Sequence, residues 1–438
     1  MLSPVTMALR LKKGEDRRVR QGHPWVFSNE VLELPKALKP GQMTELQDAS
    51  GRFVAWGYVN PQSLICFRVL SRNPDESDPA AIVSARIHRA LRLRQILGAQ
   101  PWSFRVCFGE ADGLPGLVID RYRTESGQVV IVQSQTAGAD GLADAALKAL
   151  SEEARSGVLK LNGGGGKTHL ILRRDAGSRT REGLEKLEPV AFEGDLVEAG
   201  RSAILLKPAR GGGEGSLKFD VDLVGGQKTG FFLDQAANIE RMAQSAVEFA
   251  RARANPKAEM KILDLCSYVG QWGAQLSDAL KRDAGVTAHV TAVDASERAL
   301  ELARINVERA GGKFTGLKMD VVEHLKDARD LGMFDIVICD PPALIQSRKH
   351  IPVGKAAYVS LFAEAVRRVS SEGLVALCSC SGLLGEEDFS ESVARATYKA
   401  QKQVSWIYRG GAAPDHPVAA EFPEGKYLKG WIGYVCSK

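Results

Sequence analysis

Two segments far apart in the chain end apolar runs in reactive side chains: Phe334-Asp335-Ile336-Val337-Ile338-Cys339-Asp340-Pro341-Pro342 and Leu374-Val375-Ala376-Leu377-Cys378-Ser379-Cys380-Ser381. Each run has strand length, and each stops in a group that can do chemistry, a carboxylate backed by two prolines in one case and a thiol in the other. In an open α/β sheet such strand ends lie side by side over the ligand crevice, so an acid and a nucleophilic sulfur would face one substrate. Cys378 and Cys380 point to the same face if the strand persists, and Cys380 lies further toward the loop. The plainer reading of a cysteine, a small buried hydrophobe, suits Cys266 and Cys339 better.

A third segment, Asp264-Leu265-Cys266-Ser267-Tyr268-Val269-Gly270-Gln271-Trp272-Gly273, follows an apolar strand and leads into a helix, the setting of a nucleotide-type cofactor. Gly270 and Gly273 allow close backbone approach, whereas Tyr268 stands where a dinucleotide fingerprint wants glycine, which argues against a hydride-transferring dehydrogenase. Asp294 ends the next strand, placed for ribose hydroxyls, and Asp320 the third, placed for an adenine amino group. Singly, each aspartate reads as a helix cap; at successive strand ends they favour a cofactor.

Those groups need a sheet to hold them. Strand patterns at 261–265, 289–293, 316–318, 334–339 and 373–378 alternate with helical patterns at 236–254, 272–282, 297–310 and 359–369, which implies a parallel, doubly wound sheet, with antiparallel edge strands at 404–408 and 428–435. Ahead of it, residues 1–73 read as a small β unit, and 74–215 as an α+β unit that opens with a helix over 82–97 carrying Arg86, Arg89 and Arg94 largely on one side. The run Gly163-Gly164-Gly165-Gly166-Lys167-Thr168 misses the first glycine of a phosphate loop, where Leu161 stands, and reads as a hairpin tip. Gly211-Gly212-Gly213 reads as a loop.

A chain of 438 residues with 44% hydrophobic and 25% charged side chains is too long for one core and too apolar for disorder. Its seven scattered cysteines form neither a disulfide framework nor a four-ligand zinc set, so reduced thiols and no metal are expected. No apolar run reaches the roughly 20 residues of a membrane helix and no signal peptide is evident, so a cytoplasmic protein with no membrane partner is expected. Residues 1–130 carry 18 Lys+Arg against 13 Asp+Glu, and the rest 40 against 40, so the net +5 sits in the N-terminal third. That asymmetry suits a phosphate-rich partner and equally suits a solvated basic surface.

The C-terminal unit resembles a class I S-adenosylmethionine-dependent methyltransferase. The whole chain is similar to the RlmI-type bacterial enzymes that make 5-methylcytidine in large-subunit ribosomal RNA and carry an N-terminal PUA domain. The resemblance rests on the segments above and on Gly22-His23-Pro24-Trp25-Val26-Phe27-Ser28, Asp112 to Arg121, Gly226 to Gln235 and Pro423 to Gly430. It implies an α/β fold with a Rossmann-like catalytic sheet over 216–438, a PUA-like β barrel that binds RNA over 1–73, and a central α+β domain over 74–215. It also implies S-adenosyl-L-methionine bound by Asp264, Ser267, Tyr268, Gly270, Asp294, Asp320, Asp340 and Gln235, and RNA, 23S ribosomal RNA in particular, as partner; a homodimer stays open. Cytosine carbon 5 is a poor nucleophile, so a thiolate must first add at carbon 6. The resemblance assigns that thiol to Cys380, and Asp340 becomes the candidate for a hydrogen bond or proton at ring nitrogen 3. Ala343 stands where other RNA cytosine methyltransferases carry a second cysteine after the double proline. Two alternatives stay open: an amino-group methyltransferase of RNA, which needs no thiol, and a non-catalytic RNA-binding assembly factor. Trp25, Phe53 and Trp56 are candidates for base stacking or core packing, His23 for a tight turn, and Lys426 and Lys429 for a phosphate-facing or solvated loop.

Overall fold

The chain is described by a computed structural model over residues 8–99, 102–161, 166–209, 215–256, 258–327 and 331–437; Gly163 to Gly165 and Gly211 to Gly213 lie outside the described residues. It divides into two units, the first comprising residues up to Ile204 with Asp222–Phe232 and Asp415–Gly425. This unit holds two five-stranded sheets. One is built from β1 (Leu9–Arg10), β2 (Trp25–Val26), β3 (Met43–Gln47), β4 (Phe53–Val59) and β5 (Phe67–Ser71) in the order β1-β3-β4-β5-β2, with a short helix α1 (Asp16–Arg20) between the first two strands. The other runs β10-β9-β8-β7-β6, from β6 (Phe104–Phe108), β7 (Leu117–Arg123), β8 (Gly127–Ser134), β9 (Lys167–Arg174) and β10 (Leu187–Glu193), with helices α2 (Pro79–Ile96) and α3 (Ala137–Ser156). α3 carries the chain from β8 to a parallel β9, so Lys167 and Thr168 enter a strand after a helix rather than turning a hairpin.

Part of the N-terminal positive charge is internal. Arg94 is fully buried, bonds Asp112 at 2.8 Å and does not share an exposed face with Arg89; Arg68 meets Glu182 at 2.8 Å and Arg105 meets Asp120 at 2.9 Å, all buried. A buried guanidinium is tolerated because each fork finds a carboxylate. His23 sits in its turn as a structural residue, accepting at Nδ1 from the Trp25 amide at 3.1 Å, while the Trp25 indole donates to Glu110 at 2.8 Å.

After a short helix α4 (Leu196–Arg201), strands β11 (Ile204–Leu206) and β12 (Leu217–Phe219) pair as a separate two-stranded sheet. The second unit takes residues 205–221, Leu233–Pro414 and those from Lys426 onward. Its seven-stranded sheet uses β13 (Met260–Leu265), β14 (Ala288–Asp294), β15 (Lys313–Lys318), β16 (Phe334–Cys339), β17 (Val369–Ser379), β18 (Lys402–Gly410) and β19 (Lys429–Ser437), in the order β15-β14-β13-β16-β17-β19-β18. The first five neighbours are parallel; β19 runs antiparallel between β17 and β18. Helices α5 (Ala236–Ala252), α6 (Gln271–Ala279), α7 (Glu297–Arg309), α8 (Val321–His324), α9 (Ile351–Arg367) and α10 (Glu386–Ala400) connect the strands. Side chains alternate across the sheet, so Leu263, Val337 and Val375 share a core with Phe362 and Val366 of α9 and Phe389 and Val393 of α10. On the other face Asp264 meets the first turn of α6. The parallel register pairs Leu265 with Cys339 and Cys339 with Leu377, which brings the ends of β13, β16 and β17 level.

Candidate active site

The turn after β13 is held in an unusual shape. Cys266 and Tyr268 have φ of 62° and 48°, a left-handed region that non-glycine residues enter only where the surroundings fix them. Here the Cys266 and Ser267 amides both donate to the Val293 carbonyl, at 2.8 and 3.1 Å, and the Tyr268 amide donates to Asp294 at 2.9 Å. Gly270 closes the turn at φ 75° as the residue capping α6, where a Cβ would come within 3.0 Å of Ala303. Asp264 accepts from the Gly273 amide at 3.1 Å. Burial, reinforced by the neighbouring Asp340 and Asp294 carboxylates, pushes its carboxyl up to about 7 although the Gly273 bond opposes this.

Asp264 Oδ1 and Ser267 Oγ are buried without a hydrogen-bond partner among the described residues. Buried polar atoms are nearly always satisfied, so an acceptor and a hydroxyl left open beside mutually repelling carboxylates form a set that a ligand with cationic and donor groups would complete. A methyl donor with a sulfonium, an α-amino group and ribose hydroxyls fits that demand. Asp320 stands apart: it is exposed and caps α8 through the Val322 and Glu323 amides at 2.9 and 3.2 Å, and no bond joins it to another expected site residue.

The second half of the site unites the two strand ends. Asp340 Oδ2 accepts from Gln235 Nε2 at 2.8 Å and from the Trp272 indole at 3.1 Å. Cys380 Sγ lies 3.8 Å from the Pro341 carbonyl, so the thiol and the double-proline turn are adjacent. Cys378 is fully buried with its thiol pushed well above the ordinary range by that burial, whereas Cys380 is half-buried. The two turns are stapled: Ser381 Oγ accepts from the Ile345 amide at 3.2 Å and hydrogen-bonds the Tyr358 hydroxyl at 2.9 Å.

Three residues have parts in this arrangement that the sequence motifs do not disclose. Trp272 holds Asp340 from α6. Asn238 donates to Gln235 Oε1 at 2.7 Å and to the Gly411 carbonyl at 3.0 Å, which aims the Gln235 amide at Asp340. Its insertion explains two glycines, since a Cβ at Gly410 or Gly430 would fall 2.3 or 2.8 Å from the Asn238 amide. Spacing offered one signal, because Asn238 follows Gln235 by three positions on one helix face. Lys429 is the third: it is 1% exposed and donates to the Ser381 and Tyr427 carbonyls at 2.7 and 2.8 Å, so it faces neither phosphate nor solvent, while Lys426 is exposed and meets Glu386 at 3.1 Å.

A parallel sheet with one antiparallel strand inserted near its end, and carboxylates at the ends of β13 and β14, is the architecture of a class I methyltransferase. Comparison with known families agrees: a PUA-like domain model matches residues 9–72 and a methyltransferase small domain model matches 248–409. Ribosomal RNA large subunit methyltransferase I of Photobacterium profundum is 32% identical over 98% of this chain and 100% of its own length. The proteins of the same name from Erwinia tasmaniensis and Escherichia coli are each 31% identical over 98% of this chain and 99% of theirs. A Streptococcus mutans structure assigned as a SAM-dependent methyltransferase superposes with a TM-score of 0.72 at 18% identity, over 98% of this chain and all of the other. The chain belongs to the ribosomal RNA large subunit methyltransferase I family.

Proposed function

We propose that this protein methylates carbon 5 of a cytosine in large-subunit, 23S, ribosomal RNA with S-adenosyl-L-methionine as donor. The family supports an S-adenosylmethionine-dependent ribosomal RNA methyltransferase; the choice of carbon 5 rests on a single observation, the half-buried Cys380 beside the Asp340-Pro341-Pro342 turn. The donor supplies an electrophilic methyl group when bound, and Asp264, Ser267, Tyr268, Gly270, Asp294, Asp320, Asp340 and Gln235 are the residues that would hold it. Cys380 attacks carbon 6 of the ring and makes carbon 5 nucleophilic, and the sulfur leaves after the hydrogen at carbon 5 is removed. Asp340, held by Gln235 and Trp272, would donate a proton or hydrogen bond to ring nitrogen 3 during addition. Residues 1–73 would grip RNA, 74–215 would join them to the catalytic part, and 216–438 would carry out the transfer.

The test is nucleoside mass spectrometry of ribosomal RNA and ribosomal particles incubated with the protein and donor. New 5-methylcytidine is the expected product. An amino-methylated nucleoside would overturn the carbon-5 assignment, and donor binding without any methylation would favour a non-catalytic RNA-binding role.

A further inference from the structure

Lys429 opens β19 directly opposite Ser379, one residue before the proposed nucleophile. Its ammonium is buried, yet among the described residues no carboxylate forms an ion pair with it; it donates instead to two neutral carbonyls. Interior lysines ordinarily answer a carboxylate, because an uncompensated charge is costly to bury. Of its neighbours that carry or can acquire negative charge, Glu386 is exposed and paired with Lys426 at 3.1 Å, whereas Cys380 lies between Ser379, which faces Lys429 across the strands, and Ser381, whose carbonyl Lys429 holds at 2.7 Å.

We propose that Lys429 is a positioning residue that holds Cys380 as a thiolate and fixes the turn from which its sulfur is presented. The inference rests on the reading of Cys380 as nucleophile. The clamp is two-sided: Lys429 grips the Ser381 carbonyl from β19, while Tyr358 and the Ile345 amide grip the Ser381 hydroxyl from the opposite elements. Among the other groups, Tyr358 from α9 and Cys378 on the same strand are held neutral by burial, and Asp340 from the end of β16 disfavours an anion on the neighbouring Cys378. Glu386 and Lys426 face Lys429 as an exposed pair. Burial brings Lys429 down to about 8, opposed by Cys380 and Glu386, so the ammonium persists at neutral pH and is lost above it. The thiolate therefore has a favourable cation only below that range.

The full-length protein, the Lys429→Met and Lys429→Arg variants and a Lys426→Met control are alkylated with iodoacetamide across pH 6 to 10. The Cys380 thiolate displaces iodide and forms a carbon–sulfur bond, and peptide mass spectrometry reads this thiol separately from the other six. The unmodified protein is expected to show a midpoint below the ordinary thiol value of about 8.5. Lys429→Met should raise it by at least about one unit, roughly tenfold slower alkylation at neutral pH, while Lys429→Arg and Lys426→Met leave it in place. A wild-type midpoint at or above the ordinary value overturns the proposal even if Lys429→Met fails to fold, and so does an unchanged midpoint in a folded Lys429→Met. Methyl transfer retained by Cys380→Ala would sink the nucleophile reading and leave the alkylation result standing on its own.

Discussion

The two halves of the crevice are built by different means. At the ends of β13 and β14 the carboxylates are held by backbone amides close in sequence: Asp264 by Gly273, nine residues on, and Asp294 by Tyr268, 26 residues back. At the ends of β16 and β17 the groups are held by long-range contacts: Gln235 reaches Asp340 across 105 positions, Asn238 anchors on Gly411 across 173, and Lys429 on Ser381 across 48. A backbone-held site is set once the strand and helix form. A side-chain relay is set only when several distant segments have packed, so its members can be weakened one at a time.

Perturbations should therefore separate the halves. The largest effect is expected from Cys380→Ala, with methyl transfer to RNA down by about 10⁴-fold or more and donor affinity unchanged in a calorimetric titration. Residual transfer above that level would remove the thiol from the chemistry. Asp264→Asn strikes the other half and should weaken donor binding by about 100-fold. In the parent, donor affinity should rise as pH increases through about 7, because a cationic ligand favours the ionised carboxylate. Stability moves oppositely. The folded pKa of Asp264 is raised, so its contribution is fully present below the unfolded value of about 3.9 and is lost as pH rises through about 7. Asp264→Asn abolishes that titration, and the ligand-free variant should melt about 3 °C or more above the parent at pH 8 and no higher at pH 4 by scanning calorimetry. The smallest effect belongs to the relay: Asn238→Ala should lower kcat about tenfold with little change in donor affinity, and equal losses in both would merge the halves into one unit.

The same division explains what the sequence disclosed. The ends of β13, β14, β16 and β17 are legible because an apolar run stopping in a polar residue is a local signal, and Cys380 stands out from Cys378 by its place beyond the strand. Helix α9 begins at Ile351, well ahead of the expected 359, because Pro352 falls in its first turn, where a missing amide costs little. Helix α10 hides behind its polar start Glu386-Glu387-Asp388, although Phe389, Val393, Ala396 and Ala400 trace a buried stripe. Strand β10 contains Pro189 and mostly solvated side chains, as an edge strand can. The roles of Lys429 and Asn238 are not legible locally, beyond the three-residue spacing of Asn238 from Gln235: one becomes buried and the other becomes an aiming device only through partners that the fold supplies.

The placement of β19 sets an order of assembly. β18 is made before β19 yet reaches the sheet only through it, and the apolar β17 has an open edge until β19 docks. During synthesis β17 must wait with unpaired amides and carbonyls exposed, a state prone to wrong pairing. The strand that closes this gap also delivers Lys429, so the chain acquires its charged clamp in the same event that pairs the open edge of β17.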